Sequence, residues 1–239
     1  MSELISIITP TYNCANFIGE TIDSVLAQTY SNWEMIIVDD CSTDNTLNIC
    51  RTNNIPVVPL VHNLGIGGAV QTGYKYARDN NYDIALQYDG DGQHDIAYVK
   101  DIITPILNGE ADFVIGSRFI EKGSSEFQSS VARRVGIKII SGTIKLVTGQ
   151  KIYDVTSGFR AAGREIIADF AKSYPVDYPE PITNTELLKK KYMIKEIPVS
   201  MNERIGGVSS INSWKSVYFM INVVLSVLVV GMRRFKNGR

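Results

Sequence analysis

The sequence predicts an α/β domain in which helices cover both faces of a mostly parallel sheet. Two observations carry that expectation. Short β-branched runs alternate with stretches of helical spacing five times from residue 4 onward, the pattern of repeated strand–helix crossovers. Each of five predicted strands is also followed by a polar or glycine-rich loop: "PTYN", "DDCSTD", "HNLGIGG", "DGDGQHD" and "GSR". Open parallel sheets bind ligands outside the carboxyl ends of their strands, so five such loops on one edge mark a site.

The elements follow in order. "LISIIT" (4–9) is a short apolar run of the kind a buried strand shows. In "NFIGETIDSVLAQ" (16–28), Phe17, Ile18, Ile22, Val25 and Leu26 recur at helical spacing. "WEMIIVD" (33–39) is the second strand, and Ser42 or Thr43 is placed to cap a helix through Ile49. "PVVPLV" (56–61), "DIALQY" (83–88) and "ADFVIGS" (111–117) are further strands, with helices near 66–79 and 95–107 between them and Asp95 a candidate cap for the second. The alternation then stops. Residues 129–148 suggest a basic amphipathic helix with Val131, Val135, Ile139 and Leu146 near one face, either solvated on the core or lying against lipid. "MIKEIPV" (193–199) is a last strand, and "VYFMINVVLSVLVVGM" (217–232) is an apolar tail helix.

At about 1.5 Å per residue that tail falls short of a hydrocarbon core roughly 30 Å thick. A span from a cytosolic domain would also leave "RRFK" on the far side, against the positive-inside tendency. The expectation is a helix docked on a membrane or packed on a partner. The chain thus divides into a domain over 1–212 and an apolar, basic helix over 213–239. From Glu203 to Arg239 six bases face one acid, which suits an anionic membrane surface. The net charge of −1 over 239 residues argues against nucleic acid as a partner. Cys14, Cys41 and Cys50 show neither C-x-x-C pairing nor metal spacing and read as reduced thiols. No signal peptide is visible, so the bulk of the chain is expected on the cytosolic side.

The chemistry concentrates in "YDGDGQHD" (88–95). Alternate residues just past a strand end can face one cavity, and Gly90 and Gly92 allow the tight backbone this requires. Asp89 and Asp91, with Gln93 or His94, offer hard oxygen and optional nitrogen ligands, a set suited to Mg²⁺ or Mn²⁺ completed by substrate phosphates.

"PTYN", "VDDCSTD", "NLGIGGAVQTGY", "DGDGQHD", "GSR", "SGFR" and "ER-x-GG-x-SS" stand in the order seen in glycosyltransferase family 2. Over essentially the whole length the sequence resembles the dolichyl-phosphate mannosyltransferase-like branch, the polyprenyl-phosphate glycosyltransferases. The resemblance implies a three-layer α/β/α GT-A fold, a UDP- or GDP-sugar donor, a divalent metal and inversion at the sugar carbon. It places Pro10, Thr11 and Tyr12 in the nucleobase and ribose pocket and gives Asp40 the base contact, with Asp39 nearby. Gly65, Asp89 and Gly90 complete the donor set; Asp89, Asp91 and Gln93 hold the metal. Arg118, Arg133 and Arg204, with Ser209, clamp donor and acceptor phosphates, and Arg160 braces the site from behind.

The implied activity is a metal-dependent hexosyl transfer from the nucleotide sugar to a polyprenyl phosphate at the cytoplasmic membrane face, for cell-surface polysaccharide or glycoconjugate synthesis. A lipid phosphate is already anionic and needs no general base. A saccharide hydroxyl on a lipid-linked acceptor would need one, and "DYPEP" (177–181) supplies the candidates, Asp177 and Glu180, if it is not simply a proline-fixed loop. A sugar-phosphate nucleotidyltransferase shares the architecture, but "TPTYNCANF" lacks the glycine-rich basic loop for a triphosphate. A non-catalytic scaffold is the remaining alternative. The tail leaves a small membrane protein or a second copy of the chain open as partners.

Overall fold

The computed structural model describes residues 4–90, 93–120, 131–200 and 213–235, with side chains from 134 and from 220 in the last two segments. Its elements are β1 (Ile5–Thr11), α1 (Ile18–Leu26), β2 (Trp33–Asp39), α2 (Thr46–Thr52), β3 (Val57–Pro59), α3 (Gly65–Asp79), β4 (Ile84–Gln87), α4 (Val99–Leu107) after a 3₁₀ turn, β5 (Phe113–Ser117), α5 (Val131–Thr148), β6 (Arg160–Gly163), α6 (Arg164–Lys172), α7 (Pro179–Lys189), β7 (Ile194–Pro198) and α8 (Ser213–Met232). They form two compact units: Met1–Asp79 with Phe170–Asp177, and Asn80–Asp169 with Tyr178–Arg239.

The first unit is built on the parallel sheet β1-β2-β3, with Ile5 opposite Trp33 and Thr11 opposite Asp39. Its core joins Ile18, Ile22 and Val25 of α1 to Met35 and Ile37 of β2 and to Cys50 of α2. Phe17 and Leu26, counted with the apolar stripe of α1 from spacing, are exposed. Neither Ser42 nor Thr43 caps α2: the N-cap is Asn45, without a side-chain cap bond, and Asp44 just before it accepts the Thr46 N–H.

One glycine of "LGIGG" shapes this unit. A Cβ at Gly67 would come inside 3.0 Å of three backbone atoms of Pro175 and Val176, so α3 can pack on the returning chain only without a side chain there. Backbone cannot yield as a flexible side chain can. Gly67→Ala is expected to destabilise the fold by about 1–3 kcal/mol, the usual cost of overpacking; an unchanged thermal midpoint would refute the close approach.

The second unit holds the sheet β4-β6-β5-β7, in which β6 runs antiparallel to both neighbours and β5 parallel to β7. Among the described residues three of the five strand pairings are parallel. Ile102, Val114, Phe159, Ala161 and Val199 lie at the centre of its core. Asp95 caps the turn before α4 by accepting the Ala97 N–H at 2.9 Å.

One expectation for this unit changes. "DYPEP" is not a loop but the entry to α7, with Tyr178 in the left-handed region and Pro179 at the first helical position, where a missing N–H costs nothing. On α5 the inward face is Ile137, Ile140, Ser141 and Ile144, whereas Val135, Ile139 and Leu146 point outward. The tail helix α8 is present and packs against α5 and α7. Among the described residues no helix is long and apolar enough to cross a membrane.

Candidate active site

The residues singled out in the sequence fall into two clusters, one in each unit. In the first, three strand ends are tied together. The Asp40 N–H donates to the Thr11 carbonyl and the Leu60 N–H to the Asp39 carbonyl, each at 2.8 Å. Pro10 and Thr11 end β1, and Tyr12 beyond them is half exposed. Asp39 and Asp40 are both buried. Oδ1 of Asp40 accepts the Leu64 N–H at 2.7 Å, one residue before Gly65 (φ +71°) opens α3. Oδ2 of Asp39 accepts the Ser42 N–H at 3.2 Å, while its Oδ1 has no hydrogen-bond partner among the described residues. A buried carboxylate oxygen left without a donor is costly.

The loops that carry these residues are laced to each other. Asn13 donates its N–H to Ser42 Oγ and accepts the Thr43 N–H, each at 2.9 Å. The Cys14 N–H donates to Thr46 Oγ1 at 2.8 Å and the Ala15 N–H to Asp44 Oδ2 at 3.0 Å. The Thr46 hydroxyl, ahead of the N–H groups of Thr46 and Ala15, holds the Asp44 carboxyl below its ordinary range.

In the second unit the cluster centres on Asp89, just beyond β4. A Cβ at Gly158 would meet both Asp89 carboxylate oxygens and Cγ inside 3.0 Å, so the carboxylate lies against backbone that only glycine leaves open. Nε2 of buried His94 approaches Asp89 Oδ2 at 3.4 Å, and neither ring nitrogen makes an aligned hydrogen bond among the described residues. The His94 ring sits 5.0 Å from that of Phe159, and Tyr88 donates its hydroxyl to the His94 carbonyl. The His94 imidazole, and behind it the charges of Arg160 and Arg118, hold the Asp89 carboxyl below its ordinary range against a desolvation that raises it. Gly90 follows with open space around it, and Gln93 directly precedes His94.

Both arginines of this cluster are engaged. Arg118 closes a bidentate pair on Asp154 (Nε–Oδ2 and Nη2–Oδ1, each 2.6 Å) and bonds Thr156 Oγ1 at 2.9 Å. Its backbone N–H also donates to Asp154 Oδ2. Glu196 fixes that segment by accepting the N–H groups of Tyr153 and Asp154, each at 2.8 Å. The guanidinium expected to clamp phosphate is therefore already neutralised by a buried acid. Arg160, fully buried on β6, donates to Thr183 Oγ1 (2.9 Å) and Gln87 Oε1 (2.7 Å). Glu180, on the first turn of α7, lies 3.9 Å from Arg160 Nη2. Burial raises the Glu180 carboxyl above its ordinary range, Arg160 opposes this, and the charge of Asp89 adds to the rise.

Asp91, Arg204 and Ser209 lie outside the described residues, as does the side chain of Arg133. Sequence reasoning missed Asp154 and Glu196, and quoted Gly158 without giving it a task. The available signal was an acid three residues before "SGFR", in "DVTSGFR", which an arginine-rich site invites one to pair.

Among the described residues no three of His, Cys, Asp and Glu gather into a metal shell. The donor chemistry nevertheless fits Mg²⁺ or Mn²⁺, which bind through one or two carboxylates and take their remaining ligands from substrate phosphates. Asp89 is ionised, half exposed and held by its surroundings.

Residues 6–170 match the family model for glycosyl transferase family 2. The chain belongs to glycosyltransferase family 2. It is 31% identical over 217 residues to the UDP-N-acetylglucosamine–dolichyl-phosphate N-acetylglucosaminyltransferase of Methanococcus voltae, covering 82% of this chain and 85% of that one. It is 28% identical to the undecaprenyl-phosphate mannosyltransferase of Micrococcus luteus, over 86% of each. Among solved structures, glucosyl-3-phosphoglycerate synthase from Mycobacterium tuberculosis in complex with Mn²⁺ and UDP-glucose aligns with a TM-score of 0.58. That match covers 96% of this chain and 80% of the other at 18% identity, and supports a GT-A-like α/β fold for this glycosyltransferase.

Proposed function

We propose that this glycosyltransferase moves a sugar, with inversion, from a UDP-sugar to a polyprenyl phosphate at the cytoplasmic face of a membrane. The observation that carries the reading is Asp89: a carboxylate kept ionised by His94, Arg160 and Arg118 and seated against Gly158. The archaeal and bacterial relatives named for dolichyl- and undecaprenyl-phosphate transfer support the acceptor class.

Asp40 is the group we assign to the base, with Asp39 beside it, and Tyr12 offers an exposed ring beyond β1. Asp89, with Asp91 and Gln93, would hold a divalent cation, which when bound neutralises charge on the departing diphosphate. The acceptor oxygen bonds to the anomeric carbon as the bond to the diphosphate breaks, and the electron pair leaves with the nucleoside diphosphate. Because a phosphate oxygen is anionic at the start, no residue of the chain removes a proton. Arg204 and Ser209, with Arg133, are the groups we assign to the acceptor phosphate. Arg118 acts behind Asp89, its charge favouring the ionised carboxylate.

A second reading has its own observation. Glu180 is raised by burial and faces Arg160 and Asp89, which is how a base for a saccharide hydroxyl would be poised. On that reading the rate falls as pH drops through the raised value, because protonated Glu180 accepts nothing.

The test offers purified protein with Mn²⁺ or Mg²⁺ a panel of nucleotide sugars against undecaprenyl phosphate and lipid-linked saccharides. Product on the lipid phosphate, with Glu180→Gln close to wild type, is the expected result. Product on the saccharide alone, abolished by Glu180→Gln, would replace the first reading with the second. Asp91→Ala should cut turnover about 10²-fold or more and weaken Mn²⁺-dependent UDP binding by calorimetry; intact binding would remove Asp91 from the cation site.

A further inference from the structure

Both nitrogens of the His94 imidazole are buried, and neither has an aligned hydrogen-bond partner among the described residues. A buried donor left without a partner destabilises a fold. An apolar ring would avoid that loss in the same place. The imidazole lies against the rings of Phe159, at 5.0 Å, and Tyr88, at 5.8 Å. The Tyr88 hydroxyl donates to the His94 carbonyl, a backbone group that any residue here would supply. Packing alone therefore does not call for histidine.

What the imidazole approaches is Asp89. Nε2 stands 3.4 Å from Oδ2, close without being aligned. A carboxylate only accepts, so the nitrogen that faces it carries the proton in either charge state of the ring. The two partners differ in freedom. The His94 side chain is 2% accessible and that of Asp89 51%, so the ring is the fixed reference and the carboxylate the part that turns to meet it. The same burial sets aside the nitrogen-ligand expectation for residue 94. A side chain so enclosed has no open face on which a cation and substrate phosphates could meet.

We infer that His94 is a positioning residue: its Nε2–H holds Oδ2 of Asp89, so that Oδ1 is the oxygen presented to the divalent cation. A buried imidazole that weakens the fold is retained for that task. The inference rests on the reading of Asp89 as a cation ligand, and it adds which oxygen binds and what orients it.

Thermal melts without metal and calorimetry with Mn²⁺ in the presence of UDP test the two halves of the claim. His94→Phe keeps a ring beside Phe159 and Tyr88 and removes the N–H. Its thermal midpoint is expected at or above that of wild type, while Mn²⁺ affinity falls about 10–100-fold. His94→Gln returns an amide N–H near the place of Nε2 and should recover most of that loss. His94→Asn, whose shorter amide falls nearer to Nδ1, should not. A merely structural histidine would give another pattern, with Phe melting lower and Mn²⁺ affinity unchanged, and that result would overturn the proposal. Equal affinities of the Gln and Asn variants would overturn it as well. In a His62→Gln background, which leaves His94 as the one histidine, isotope-labelled histidine should show no nitrogen bonded directly to Mn²⁺ in pulsed electron paramagnetic resonance. A bonded nitrogen would make His94 a ligand and sink the positioning role. Wild type that fails to bind Mn²⁺ with UDP would remove the cation reading of Asp89 and this inference together, whereas wild-type binding that His94→Phe retains in full removes the inference alone.

Discussion

Replacing Asp154 by alanine is expected to cost about 3–5 kcal/mol of stability, because it leaves a buried guanidinium without its counter-charge. The side chains of Arg118 and Asp154 are 5% and 0% accessible, so water cannot take the place of the lost carboxylate. The alanine also abandons the backbone N–H of Arg118. In a chain of this size the thermal midpoint should fall by roughly 6–20 °C. Arg118→Met combined with Asp154→Leu should recover most of the loss, since an apolar pair of similar volume can replace a buried ion pair at little cost. A single variant that melts like wild type would mean that Arg118 reaches another anion, and the phosphate role expected from its sequence position would then regain its ground.

Gly158→Ala is expected to do the opposite: damage the chemistry and spare the fold. The added Cβ would collide with the Asp89 carboxylate, the mobile end of a half-exposed side chain, which can rotate away at small cost in stability. It would then leave its place beside His94, Arg160 and Arg118. Misplacing a reacting group by about 1 Å commonly costs 10²-fold in rate, and disturbing what supports a metal ligand costs about 10–100-fold in metal affinity. The expected result is a near-native thermal midpoint, Mn²⁺ affinity in the presence of UDP down about tenfold or more, and kcat/KM down about 10²-fold. A variant that binds Mn²⁺ as wild type does would show that the seat at Gly158 is incidental.

These two residues mark where sequence reasoning stopped. Six strands and the helices between the first five of them were legible because each is a patterned apolar run of ordinary length bounded by turn residues. β6 was not: "RAAG" has four residues and no β-branched side chain, and it pairs antiparallel only because β4 and β5 leave a place for it. α7 was hidden by its own composition. Two prolines open it, and Thr183, Asn184 and Thr185 are buried where periodicity expects apolar residues. In the site, types and loops were legible but partners were not. Arg118 looked like a free cation because its acid stands 36 residues away. Gly158 looked like a turn residue because what it makes room for lies on another strand end. Spacing reports which groups approach a site; only folding reports which of them are already satisfied.

The hydrogen bonds that lace residues 13–15 to residues 42–46 bear on how a donor is met. Ordering a flexible loop costs about 1–2 kcal/mol of backbone entropy per residue, and a site that closes on its ligand incurs that loss with every binding event. Here it is incurred once, at folding, so the loops carrying Tyr12 and Asp40 meet a nucleotide preorganised. Affinity on this side then rests on contact and desolvation, and loosening the lacing, as Asn13→Ala would, is expected to weaken donor binding by returning that loop entropy to the free protein.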